Sequence, residues 1–212
     1  MHRHTVGALL GSAWAAYASL SPRPAQAHDE RLETGYVQYG AALTAELLAS
    51  AGAICPSNAT VPCVIGSGGG LAVRAGYRFH APFYVGGAYE FSKQDAHKSI
   101  YLAILQQMRA EARYFLPVSG SYIPFLAAGG GVVGYGSEWS LQTVGATAFL
   151  GLGVELELSR TSVMAFIVSY RPILLTTWKD SALQERPTGV LSMVSLEVAL
   201  EQRNPVYRPP DR

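Results

Sequence analysis

The residues with the most chemistry in this sequence are arginines and glutamates spaced two or four apart. Arg74 and Arg78 stand in GLAVRAGYRF, and Arg109, Glu111 and Arg113 occupy alternate positions of LQQMRAEARYF. Glu155 and Glu157 do the same in GVELEL, and Glu46, Glu90, Arg171, Glu197 and Glu201 fall in the same kind of setting. A period of two places side chains on one face of a β-strand. These charges therefore belong to strands with one charged face and one apolar face. They could line a gated narrow pore or form a packed, salt-bridged plug. Buried charges must pair whatever the function, so the plug is the expectation.

Other chemistry is sparse. Cys55 and Cys63 bracket CPSNATVPC, with Pro56 and Pro62 just inside. An even cysteine pair in an exported chain is read as a disulfide, here as a staple of one loop. Asn58 in NAT fits a glycosylation sequon, a short and weakly specific pattern. His28, His80 and His97 are scattered, and there is no GxSxG or HExxH. GSGGGL and AAGGGVVG do not match a phosphate loop; glycine on a strand wall accounts for them better. No catalytic, metal or cofactor site is expected, and the chain is not read as an enzyme.

Alternation continues through the rest of the chain, from about residue 33 to 201. The apolar phases are Val37 to Leu47; Leu71 to Phe79; Phe83, Val85, Tyr89 and Phe91; Ile100 to Tyr114; Ile123, Phe125, Ala127, Val133 and Tyr135; Val144 to Leu158; Met164 to Tyr170; and Val190 to Leu200. The fourth segment also carries a helical stripe, Ile104, Leu105, Met108, Ala112 and Phe115. Strand is preferred there because its charges share one phase. The connections HAP, LPVSGS and SRT are tight, whereas ASAGAICPSNATVPCVIGS and TTWKDSALQERPTG are long. Short turns at one end and long loops at the other mark an all-β, eight-stranded, antiparallel up-and-down barrel.

Two arrangements satisfy that pattern. A soluble lipocalin-like barrel turns its charged phase to water, and a transmembrane barrel turns its apolar phase to lipid. Charged residues are only 15% of the chain, net charge is +1, and there are 22 glycines, which is thin cover for a soluble surface. The charged phase is otherwise rich in Gly and Ala, which suits the narrow lumen of eight strands. Its charges are of both signs and can pair. An arginine on the lipid face costs about 2–4 kcal/mol, so Arg74, Arg78, Arg109, Arg113 and Arg171 must all point inward in a membrane barrel. Tyr77, Phe79, Phe83, Tyr114 and Phe125 near the short turns, with Tyr89, Phe91 and Tyr135 near the loops, are read as two interfacial girdles. The transmembrane barrel is therefore expected, with the lipid bilayer as partner. No run of Lys or Arg suggests nucleic acid.

Residues 1–27 read as a secretory signal peptide. A basic start at Arg3 precedes an apolar run from Val6 to Leu20, and AQA ends before His28. Residues 28–212 then form one barrel domain with a short C-terminal tail.

Signal peptide, alternating strands, GYRF closing a strand, and EARYFLPVSGSYIPFLAAGGG as strand, turn and glycine-rich strand together resemble the small outer-membrane barrels of the OmpA/OmpX-like superfamily. The resemblance covers roughly residues 33–201. It implies the outer membrane and a structural, adhesive or surface-protective role, with long loops offered to an extracellular partner. A narrow solute channel, a lipid-modifying enzyme and a soluble secreted barrel are the alternatives. One departure concerns assembly: such barrels often end in an aromatic residue on the last strand, whereas here Leu200 and Glu201 lead into QRNPVYRPPDR, with Tyr207 five residues from the end.

Overall fold

The computed structural model describes residues 35–55, 63–79, 81–96, 102–118, 120–137, 140–180 and 185–206. The leader over 1–27, the Asn58 sequon, His28, His80, His97 and Tyr207 lie outside the described residues. Long alternating segments become long strands: β1 (Tyr36–Ser50), β2 (Gly68–Arg78), β3 (Phe83–Gln94), β4 (Ala103–Phe115), β5 (Tyr122–Ser137), β6 (Ser140–Glu157) and β7 (Ser162–Leu175). A two-strand flap, β8 (Trp178–Lys179) with β9 (Glu185–Arg186), precedes the last barrel strand, β10 (Gly189–Pro205). Sequence neighbours pair antiparallel, and β10 pairs with both β7 and β1, so the sheet closes into a barrel. Closure leaves no unpaired strand edge.

The segment with two readings is a strand. β4 pairs along its whole length with β3 and β5, because a helix there would put Arg109 and Arg113 on the same side as Leu105 and Met108. β10 runs past Glu201 to Pro205, pairing Arg203 with Gln38. The tail of the sequence is thus partly wall.

Polarity is inverted relative to a soluble protein. Leu43 and Leu150 are each 66% exposed on the outer wall, while Glu46 is 0% and Arg113 1% exposed within the lumen. Apolar residues form two clusters along the lumen. At the turn end Tyr84, Phe115, Ile123, Phe125, Phe149 and Ile167 form one layer with small residues of the neighbouring strands. At the loop end Leu105, Val133, Tyr135, Ile173, Leu175, Leu191 and Met193 pack under loop residues Ile54, Val64, Ile65 and Trp178.

Two girdle assignments need correction. Phe125 and Tyr135 point into the lumen, 1% and 0% exposed, and so do Ile123, Ala127 and Val133. Both phases of β5 are apolar, so alternation alone could not orient it. Register does: Arg113 lies opposite Ala127 and Leu105 opposite Tyr135, and residues directly opposite share a face. Phe125 also lies opposite Gly153, and Phe149 opposite Gly129. A Cβ on either glycine would collide with the facing ring, so each inward phenylalanine covers a residue with no side chain. Tyr135 reaches the loop layer, where its hydroxyl donates to the Val64 carbonyl and its ring meets Trp178 edge-on at 6.3 Å.

Cys55 and Cys63 are joined, with Cα atoms 5.2 Å apart. The bond sits between Ile54 and Val64, both buried in the loop-end layer, so it holds the two ends of the loop where they enter the barrel mouth. The double variant C55S/C63S is expected to lose about 2–3 kcal/mol of unfolding free energy, the chain-entropy value for so short a loop, in denaturant titration of the folded barrel. A loss below about 0.5 kcal/mol would mean that Ile54, Val64 and Ile65 order the loop unaided.

Candidate functional site

The ionic network inside the lumen is the only extended polar constellation among the described residues. Its members come from β1, β2, β3, β4, β6, β7 and β10, and each arrives there because it occupies the inward phase of its strand. Carboxylates Glu46, Glu90, Glu111, Glu155, Glu157, Glu197 and Glu201 face guanidiniums Arg74, Arg78, Arg109, Arg113, Arg171 and Arg203. The described lumen thus holds one more carboxylate than guanidinium.

Toward the turns, Arg78 lies 2.8 Å from Glu155 and stacks over Phe115, its guanidinium carbon 3.7 Å from the ring centroid. Arg203 pairs with Glu155 and, at 3.2 Å, with Glu157. In the middle, Arg113 donates through both terminal nitrogens to Glu201, at 3.0 and 3.2 Å, and through one of them to Glu111 at 3.2 Å. Its guanidinium lies between the rings of Tyr84 and Phe125, so the inward phenylalanine of β5 has a role as a cation–π floor. Arg74 joins Glu201 at 3.3 Å to Glu197 on the same strand.

Toward the loops, Arg109 donates to Glu90 at 2.5 Å and to Glu197 at 3.4 Å. Arg171 donates to Glu90 at 2.7 Å and reaches Glu197 and Glu46 at 3.5 Å each. Glu46 is served mainly by neutral donors, the amide nitrogens of Gln94 at 2.5 Å and Gln107 at 3.1 Å. These pairs run across the lumen as well as along the wall.

Every lumen charge named from the sequence lies in this network. Glu157 sits at its rim, with its side chain 16% exposed. Sequence reasoning left out Arg203, Gln38, Gln94 and Gln107. Arg203 was counted with the tail, although Glu197, Glu201 and Arg203 keep one phase. The glutamines carry no formal charge to draw attention, but each occupies an inward position. Gln38 donates to both Glu155 and Glu201.

On the outer wall, Phe79, Phe83, Tyr114 and Tyr89 are exposed, while Tyr77 and Phe91 are half-buried. Phe83 packs against Tyr114 at 5.1 Å and Tyr77 against Phe79 at 5.0 Å. Toward the loops, Tyr89 donates to Gln106 at 3.0 Å and Tyr170 to Ser192 at 2.8 Å. Tyr122 and Tyr170 are further outward aromatics that the sequence reading did not place in a girdle.

No family model matches the sequence, and no curated protein matches it. Solved structures do. Neisserial surface protein A is 18% identical, with a TM-score of 0.51 over 80% of this chain and 95% of that one. The outer membrane protein OprG from Pseudomonas aeruginosa is 13% identical, with a TM-score of 0.54 over 81% of this chain and 96% of that one. At these identities the likeness is one of fold: the chain has the architecture of the small eight-stranded outer-membrane barrels.

Arg113→Met removes the two-nitrogen partner of Glu201 and the nearest partner of Glu111. It leaves them Arg74, Arg109 and Gln38, and is expected to cost about 3 kcal/mol, the lower end for breaking a buried pair. Adding Glu201→Gln should recover part of that loss, with a coupling of about 1–3 kcal/mol in the double-mutant cycle. Denaturant unfolding of the folded barrel measures both. A single-variant loss under about 1 kcal/mol would mean that water reaches the network.

Proposed function

We propose that this chain is a non-enzymatic β-barrel of the outer membrane, a sealed anchor that presents its loop end outside the cell in a structural, adhesive or surface-protective role. The observation that carries the reading is the inverted polarity of the wall. The outward face of β3 starts at Phe83 and reaches its first charge at Lys93. Those ten steps span about 33 Å of strand, or about 23 Å of height at a 45° tilt, close to the ~25 Å apolar band of such barrels. Aromatics flank that band, as they do where a barrel meets headgroups. The fold shared with an outer membrane protein supports the same placement, and the leader read in residues 1–27 is a fitting export route.

Two features favour a sealed anchor over a channel or an enzyme. The ionic network is capped at the loop end by a packed apolar layer and is interleaved with apolar side chains toward the turns. The lumen carboxylates accept hydrogen bonds or ion pairs from arginine and glutamine, which suits filling a space better than turning over a substrate. The loop end, with its disulfide-clipped loop and β8–β9 flap, is then the surface through which an external partner would be met.

On a gel of the outer-membrane fraction, the unheated protein is expected to migrate differently from the boiled protein, and planar bilayers containing it should remain silent. Recovery in the soluble fraction with no mobility shift would overturn the membrane placement. A steady conductance altered by Arg109→Ala would replace the anchor with a narrow channel, and lipid A spectra that change on deletion would replace it with a lipid-modifying enzyme.

A further inference from the structure

The apolar outer wall does not stand at one level all the way round. Directly opposed residues, followed strand by strand from Val37, lead round the barrel to Val194 and rejoin β1 at Leu47, ten residues further along. At a 45° tilt one residue rises about 2.3 Å, so each step to the next strand along this row rises about 3 Å. The height of any outward residue above Val37 follows from its place in the register.

β4 and β10 stand opposite each other in the closed ring, and so do β3 and β7. On β4 the outward face turns polar at half-buried Gln106, about 23 Å up. Ile104, the next outward residue, is 2% exposed and offers no surface to lipid. On β3 the charge of Lys93 comes at about 24 Å. On the other side the apolar wall continues. Leu174 of β7 lies at about 27 Å and Val190 of β10 at about 30 Å. These two are directly opposed, and they are 43% and 50% exposed. Ser192, the outward hydroxyl below Val190, is satisfied by Tyr170. The turn end shows the same offset. Exposed Leu116, just past β4, lies about 1 Å below Val37, whereas β10 is already polar at exposed Gln202, about 2 Å above it. The middle of the apolar band is thus about 8 Å higher on β10 than on β4, across a backbone cylinder about 17 Å wide.

We infer that the barrel is seated obliquely in the bilayer, by about 20°, with its mouth leaning toward β7 and β10 so that lipid covers Leu174 and Val190. The inference rests on the membrane placement proposed above. Lipid is the occupant because this exposed apolar surface is continuous with the lipid-facing wall below it, and an upright barrel would leave it in water. The lean has a consequence for the loop end. The β8–β9 flap joins β7 to β10, so it is lowered onto the headgroups, and exposed Lys179 lies among them. The opposite rim, at Lys93 and Gln106, is raised clear of the bilayer and is the side open to an external partner.

The full mature chain carrying W139F and W178F would receive one tryptophan by Q106W, L174W, V190W or L150W. Each variant, its folding checked by gel mobility, would be reconstituted with lipid brominated near the glycerol end of its acyl chains. In an upright barrel Val190 stands about 7 Å further from the bilayer centre than Gln106, and a 20° lean brings the two to one depth. V190W and L174W are therefore expected to be quenched at least as strongly as Q106W. Quenching of Q106W with none of V190W and L174W would mean an upright barrel and would overturn the inference. L150W, at mid-wall, reports on the membrane placement itself. Its quenching in lipid brominated near the chain ends is expected, and its absence would overturn that placement and the lean with it.

Discussion

Everything in this barrel depends on the exclusion of water from a lumen only as wide as its own side chains. Eight strands leave room for inward side chains and little else. Each inward position must therefore be small, apolar, or polar with a partner within reach. The chain uses all three solutions in tiers. Aromatic rings cover glycines toward the turns, paired charges run from the turn end through the middle, and aliphatic side chains with the loop plug fill the mouth.

The ionic tier fixes register as well as filling space. A one-residue slip of any strand turns its inward set outward, and for every long barrel strand but β5 that would carry a charge onto the apolar wall. The pairs also tie distant strands together. Glu201 of β10 is held by Arg74 of β2, Arg113 of β4 and Gln38 of β1, and Glu90 of β3 by Arg109 of β4 and Arg171 of β7. Buried pairs add little net stability over an apolar filling. Their contribution is to the choice of one closed arrangement among several that the alternating pattern would allow.

Strands with contrasting phases, such as β2, β4 and β6, show their orientation in sequence because arginine and glutamate have one tolerable side. β5 does not, since YIPFLAAGGGVVGYG is apolar on both phases. Its orientation comes from contacts with β4 and β6, and the facing Phe125–Gly153 and Phe149–Gly129 pairs are the sequence signal that would have revealed it. Arg203 was obscured by a proline that follows two residues later, which suggested a tail where the strand still continued. The plug of Ile54, Val64, Ile65 and Trp178 was not legible, because loop residues acquire a burial pattern only once the barrel mouth exists. The disulfide could be expected from spacing and compartment, but its place at the entry to that plug depends on the fold.

The most direct test of this account asks which way two adjacent residues point. Phe149 faces the lumen and Leu150 the outer wall. Single tryptophans would be placed at each position in a background where Trp139 and Trp178 are phenylalanine, and the folded proteins would be reconstituted in bilayers of brominated lipid. Strong quenching of L150W with little quenching of F149W is the result the account predicts. The opposite pattern, or equal weak quenching at both positions, would contradict an apolar wall facing lipid around a sealed, charged interior.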